Sequence, residues 1–336
     1  MTSSKLPNAY VTDPDFGYAI RKDVQALLQT MVATTGPDIA TLTASDARVM
    51  YEQMTLATDL PARPIERVQD LTFPGSRGEI RVRLFDRRAK RAAGPAVVFF
   101  HGGGFVMGSL DIAAPLCAEI AHELDLPVIS VDYGLAPEHP FPAAQVDCDA
   151  AARWVASSSD ALGFDVTGLI LTGESAGGLL TITTTIALRD NPADVPVVLQ
   201  APVVPVLEMW ADYPSRKYPG YTFTMGAMPW VEGHYRPDPE DWRAAPLKAG
   251  LAGLPPAVVV TAEMDVLRDD GRAYAVALIQ AGNRMVIYQE APGTVHGFYL
   301  FRKACPSSSA DVANYIGAMK AALDGETALR KAEAAI

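Results

Sequence analysis

Residues Leu169–Leu180, LILTGESAGGLL, decide how the rest of the chain is read. Leu169–Thr172 is a short apolar run of the kind a buried strand needs. It meets Gly173-Glu174-Ser175-Ala176-Gly177, a G-x-S-x-G pattern, and then an apolar, helix-like stretch. Strand, tight turn and helix are the parts of a nucleophile elbow. Glycines on both sides let the backbone bend and crowd, so the Ser175 side chain stands clear at the end of a sheet. A helix beginning directly after Ser175 aims free backbone N–H groups at the same point. The bare pattern is a weak signal, and its flanking elements give it weight.

Upstream, Ala96–Phe100 (AVVFF) is a continuous apolar strand of the type found in parallel sheets. It runs into His101-Gly102-Gly103-Gly104-Phe105. Three glycines leave a stretch of backbone without side chains, whose N–H groups can approach an anion closely. An isolated triple glycine reads as a flexible loop. After a strand and before a serine elbow it reads as an oxyanion loop, with Gly103, Gly104 and Ala176 as the donors. His101 opens that loop and reads as a structural residue turning it through a side-chain hydrogen bond, not as a base.

Downstream, apolar strands are expected at Val195–Ala201, Pro256–Thr261 and Arg284–Gln289. The end of the second offers Glu263 and Asp265, and His296 follows the third. Earlier, Leu126–Val131 reads as a strand, and Ala113–Leu124 and Ala143–Ser157 read as helices. Strands alternating with helices from Ala96 onward imply an α/β fold with a mostly parallel sheet. Active residues of such sheets collect at the carboxyl ends of strands, where Ser175, Asp265 and His296 all fall. Their order, Ser, Asp, His, is that of the α/β-hydrolase triad. A serine hydroxyl needs a base to take its proton, and the base needs a carboxylate to hold its tautomer.

Residues 1–60 lack a strand pattern and read as two helices. One starts at Asp13-Pro14 and carries Phe16, Ala19, Ile20, Val24, Leu27 and Leu28; the other is capped by Ser45. Val68–Leu84 reads as an antiparallel strand pair at a sheet edge. Pro202–Arg236 is aromatic-rich and irregular, and a segment of that kind either covers a site or packs as ordinary core. His234 at its end has no obvious partner, and His139 reads as a structural donor.

The 336 residues are 49% hydrophobic and 20% charged, enough apolar material for a sizeable core. A net charge of −11 argues against nucleic acid and anionic membrane surfaces as partners. No apolar run is long enough for membrane insertion, and the first residues lack the apolar core of a secretory signal. Three cysteines without C-x-x-C spacing argue against a disulfide framework or zinc site and for a cytoplasmic setting.

HGGGF, GESAGG, DVLRDDG at Asp265 and HGF at His296 together resemble the bacterial hormone-sensitive-lipase-like carboxylesterases, and YGLAPEHPFPAA is similar to a segment of that family. The resemblance spans about Ile65 to Phe298. It implies an α/β-hydrolase catalytic domain over residues 51–336, with a helical cap formed by residues 1–50 and by part of 203–235. It further implies hydrolysis of short- to medium-chain carboxylic esters, without metal or cofactor, often by a homodimer. The substrate pocket is expected around Phe105, Glu174, Tyr221, Phe223 and Met225. Two positions depart from the family pattern: Glu174 stands where Asp is common, and Gly134 where Arg is common, which implies a lost structural ion pair. The leading expectation is a serine carboxylesterase working through an acyl-enzyme. Acyl transfer to an alcohol or amine uses the same intermediate. A ligand-binding protein without catalysis is disfavoured because all three triad residue types are present.

Overall fold

The computed structural model describes residues 10–12, 19–33, 37–218 and 220–334. A two-stranded ribbon comes first, β1 (Tyr10–Thr12) antiparallel to β2 (Ala19–Arg21), followed by α1 (Lys22–Ala33) and α2 (Ala44–Thr58). Then come β3 (Arg67–Gly75), β4 (Gly78–Asp86), β5 (Gly94–Phe100), α3 (Leu110–Leu124), β6 (Val128–Val131), α4 (Ala143–Ser157), the short α5 (Ser159–Leu162) and β7 (Val166–Glu174). The chain continues through α6 (Ala176–Asp190), β8 (Val197–Val203), α7 (Met228–Tyr235), β9 (Ala257–Ala262), α8 (Arg268–Gln280), β10 (Val286–Ala291) and α9 (Ser308–Ala334).

Eight strands form one sheet in the order β10-β9-β8-β7-β5-β6-β4-β3, parallel except where β4 meets β3 and β6. In β5, Ala96, Val98 and Phe100 join the apolar layer beneath α4, while Val97 and Phe99 join the layer shared by α1, α3 and α9. Both faces of the strand are covered, which is why its sequence is apolar without alternation. The three central strands therefore end together at one rim, with Phe100 paired to Gly173 and Glu174 to Val203.

The amino-terminal segment differs from its expected form. Ala19 and Ile20 belong to strand β2, and the first helix begins only at Lys22. Pairing with Tyr10–Thr12 supplies partners for that backbone, so tertiary contact overrides the helical spacing. Asp13, Pro14 and Phe16 lie outside the described residues. The second helix is capped by Thr43, whose hydroxyl accepts from Asp46 N–H at 3.1 Å, so Ser45 sits inside the first turn. The segment expected to be irregular contains α7. Among the described residues, no helix is long and apolar enough to cross a membrane.

Candidate active site

The elbow owes its shape to glycine. A Cβ added at Gly173 or Gly177 would collide with the Phe100 carbonyl, because the ends of β5 and β7 and the start of α6 crowd together there. Between them Ser175 adopts φ 57° and ψ −115°. A non-glycine residue in that region costs about 1–3 kcal/mol, which the surroundings must offset. Ser175 N–H donates to Val203 O at 2.9 Å, and Gly178 N–H donates to Ser175 O at 2.9 Å. The serine is thus pinned from a neighbouring strand and from its own helix.

Three side chains from three strand ends meet at this point. His296 Nε2 lies 2.9 Å from Ser175 Oγ, and His296 Nδ1 lies 2.7 Å from Asp265 Oδ2. Asp265 is 1% exposed, and its Oδ1 accepts from Leu267 N–H at 2.8 Å. With Nδ1–H donated to the carboxylate, Nε2 carries the lone pair that faces Ser175 Oγ. Glu263 does different work. Its Oε2 accepts from Gly293 N–H at 2.7 Å, tying the loop after β9 to the loop that carries His296.

Gly103 (φ 113°) and Gly104 (φ 62°) both lie in backbone regions that favour glycine. Gly103 O accepts from Met107 N–H at 2.8 Å, which closes the loop on itself. His101 Nδ1–H donates to Gly102 O at 2.8 Å, and its ring stacks on Tyr133 at 4.3 Å. Tyr133 O–H donates to His101 O at 2.6 Å. Burial pushes the His101 imidazole below its ordinary pKa, so it is a neutral brace for the loop. Arg48 of α2 adds a second brace, donating to Val106 O and Ala136 O at 2.8 Å each. Ala176 opens α6, at the free N–H end of the helix.

The aromatic segment lies over these loops. Thr222 O–H donates to His296 O at 2.6 Å, and the Phe223 ring sits 5.2 Å from the His296 ring. Ser215 O–H donates to Val266 O at 2.8 Å, and Arg216 pairs with buried Asp270 at 2.7 Å, bolting the segment to the Asp265 loop. A Cβ added at Gly104 would lie 3.1 Å from Val231 of α7. Met225 receives an N–H from Arg216 at Sδ, 3.6 Å away, and Tyr221 is partly buried against the apolar layer containing Phe298. Phe105 turns inward and stacks on Tyr235 at 3.9 Å. His234 Nδ1–H donates to Trp230 O at 2.8 Å, supplying the partner that its sequence context did not reveal. Thr222, Tyr133 and Arg48 escaped sequence reading. Only Tyr133 carried a signal, through its place in the proline-rich turn. Among the described residues, no three His, Cys, Asp or Glu side chains converge as metal ligands do.

A family model described as the alpha/beta hydrolase fold matches residues 97–300. Esterase LipI of Mycobacterium tuberculosis is 36% identical over 293 residues, covering 80% of this chain and 87% of its own. The chain belongs to the hormone-sensitive-lipase-like carboxylesterases. Other members of the esterase group agree: ethyl acetate hydrolase of Pseudomonas putida is 34% identical over 76% of this chain and 83% of its own. Among solved structures, an ester hydrolase from the metagenome of Lake Arreo superposes with a TM-score of 0.85 at 33% identity, covering 90% of this chain and 98% of its own. A hyperthermophilic esterase from the archaeon Pyrobaculum calidifontis gives 0.82 at 34% identity, with the same coverage. This carboxylesterase therefore hydrolyses carboxylic esters on an α/β-hydrolase scaffold.

Proposed function

We propose that Ser175 is the nucleophile, His296 the general base and acid, and Asp265 the group that orients and stabilises the imidazolium. The observation that carries this is the unbroken line from Ser175 Oγ to His296 Nε2 (2.9 Å) and from His296 Nδ1 to Asp265 Oδ2 (2.7 Å). Ser175 Oγ attacks the ester carbonyl as Nε2 takes its proton. The backbone N–H groups of Gly103, Gly104 and Ala176 receive the oxyanion. Nε2 then protonates the departing alkoxide, and water repeats the sequence on the acyl-enzyme. Ser175→Ala is expected to fold and to lose activity by roughly 10⁴ or more. Near-normal turnover in that variant would overturn the assignment.

The substrate class proposed is short- to medium-chain esters, bound under a cap made from the amino-terminal segment and the aromatic segment. What supports the cap is shared packing: Ile39, Leu42, Phe223 and Met225 all pack against the apolar cluster that contains Trp230, and Trp230 Nε1–H donates to Leu42 O at 2.9 Å. The three cysteines are free and buried, which suits the reducing cytoplasm as the proposed compartment. A homodimer is the proposed assembly, checked by light scattering in solution.

A further inference from the structure

Glu174, one residue before the serine, takes no part in the chemistry above. Its side chain is buried and runs beneath the start of the oxyanion loop. A Cβ added at Gly102 would collide with Glu174 Oε2 and come within 3.0 Å of its carboxyl carbon. Its Oε2 has no hydrogen-bond partner among the described residues, and its charge is felt by the buried Tyr299 hydroxyl, three residues after His296. One side chain therefore packs against the residue adjoining Gly103 and interacts electrostatically with the turn behind the base.

No cation faces it. The ionisable groups that feel its charge are Tyr51 of α2, Cys117 of α3, Tyr133, Tyr299 and Tyr315 of α9, each kept neutral at neutral pH by burial. The neutral His101 ring lies across Gly102, with its Nδ1–H committed to Gly102 O.

We propose that Glu174 is a positioning residue for ester hydrolysis, holding the oxyanion loop at Gly102 in register with the Tyr299 turn behind His296. The proposal rests on Gly103 and Gly104 being oxyanion donors. Burial pushes the Glu174 carboxyl up to about 8, against the opposing pull of the Gly102 backbone and the Tyr299 hydroxyl. At neutral pH it is therefore the uncharged acid. In that form it supports Gly102 without placing negative charge beside the oxygen that becomes an anion. Ionised, it would repel that oxyanion through a low-dielectric medium. Hydrolysis should then decline on the alkaline side for a reason separate from the His296 base.

The test is kcat/KM for a soluble p-nitrophenyl ester from about pH 6 to about pH 10, compared among the wild-type chain, Glu174→Gln and Tyr299→Phe. The wild type is expected to fall about tenfold per unit above roughly pH 8. Glu174→Gln, uncharged throughout, should hold its plateau within about twofold to roughly pH 9. The Tyr299 hydroxyl pulls the Glu174 carboxyl down against burial, so Tyr299→Phe should raise the pH at which the fall begins. An alkaline fall unchanged in folded Glu174→Gln overturns the proposal. Should that variant not fold, an unchanged fall in Tyr299→Phe overturns it. Ser175→Ala in the same assay reports on the underlying triad assignment, so failure of that assignment is seen separately.

Discussion

Arg77 Nη2 donates to Asp147 Oδ2 across 2.5 Å, from the turn between β3 and β4 to a fully buried carboxylate of α4. Gly134 N–H donates to the same oxygen at 2.8 Å, and a Cβ added at Gly134 would lie 2.7 Å from Arg77 Cζ. The guanidinium fills the space that a side chain at position 134 would take. The ion pair expected to be lost with Gly134 is thus supplied from a distant segment. Arg77→Met leaves Asp147 buried without its cation and is expected to cost about 3–5 kcal/mol in urea unfolding. Adding Gly134→Arg to Arg77→Ala should recover part of that loss. A fully stable Arg77→Met chain would show that the pair contributes little.

Asp265 and Glu263 lie two residues apart but make separate contacts, with His296 and with Gly293 N–H. Asp265→Asn should lower kcat by roughly 10³–10⁴, because the imidazole loses both its tautomer control and its counter-charge. Glu263→Gln removes a charge from a bond to Gly293 N–H and should cost less than about tenfold. Kinetics of the two purified variants decide between these duties, and a reversed ranking would move the acid's role to Glu263.

The ring of Phe223, in the proposed cap, lies 5.2 Å from that of His296. Each buried methylene gains about 0.8 kcal/mol, or about fourfold in kcat/KM, until the pocket ends. A graded series of p-nitrophenyl esters is expected to peak near about four to six acyl carbons and to fall by ~10. Phe223→Ala should move the peak to longer chains. An unmoved profile would remove Phe223 from the acyl pocket.

Burial of Glu174 also predicts how stability varies with pH. Its folded-state pKa, about 8, lies above the unfolded value. The native state therefore holds a proton that the unfolded chain has released. The resulting stability is fully present below the unfolded pKa and is lost as pH rises through about 8. Glu174→Gln should remove this dependence. Urea midpoints at about pH 5 and about pH 8 should show the wild type declining relative to the variant, by at most about 1.4 kcal/mol per pH unit from this group. Parallel behaviour of the two proteins would mean that Glu174 is ionised in the fold.

The local pattern of the chain determined most of its framework. Apolar runs marked the central strands to within three residues, as with Leu169–Thr172 against the observed Val166–Glu174. The glycines of GESAG announced a bend that only they permit, and proline spacing marked the ordered turn before α4. Such signals are legible because they are written in side-chain periodicity and backbone sterics over a few neighbouring residues. Tertiary structure alone decided the rest. Ala19–Arg21 became a strand because Tyr10–Thr12 lies beside it. Asp147 found its cation at Arg77, and the glycine loop after β5 found Arg48, with no spacing in the chain to mark either partner. Glu174 was expected at the substrate pocket, and only the fold buries it among tyrosines with no cation in reach among the described residues. Its charge state depends on the solvent it loses and on neighbours drawn from distant segments, and only the closed chain sets those.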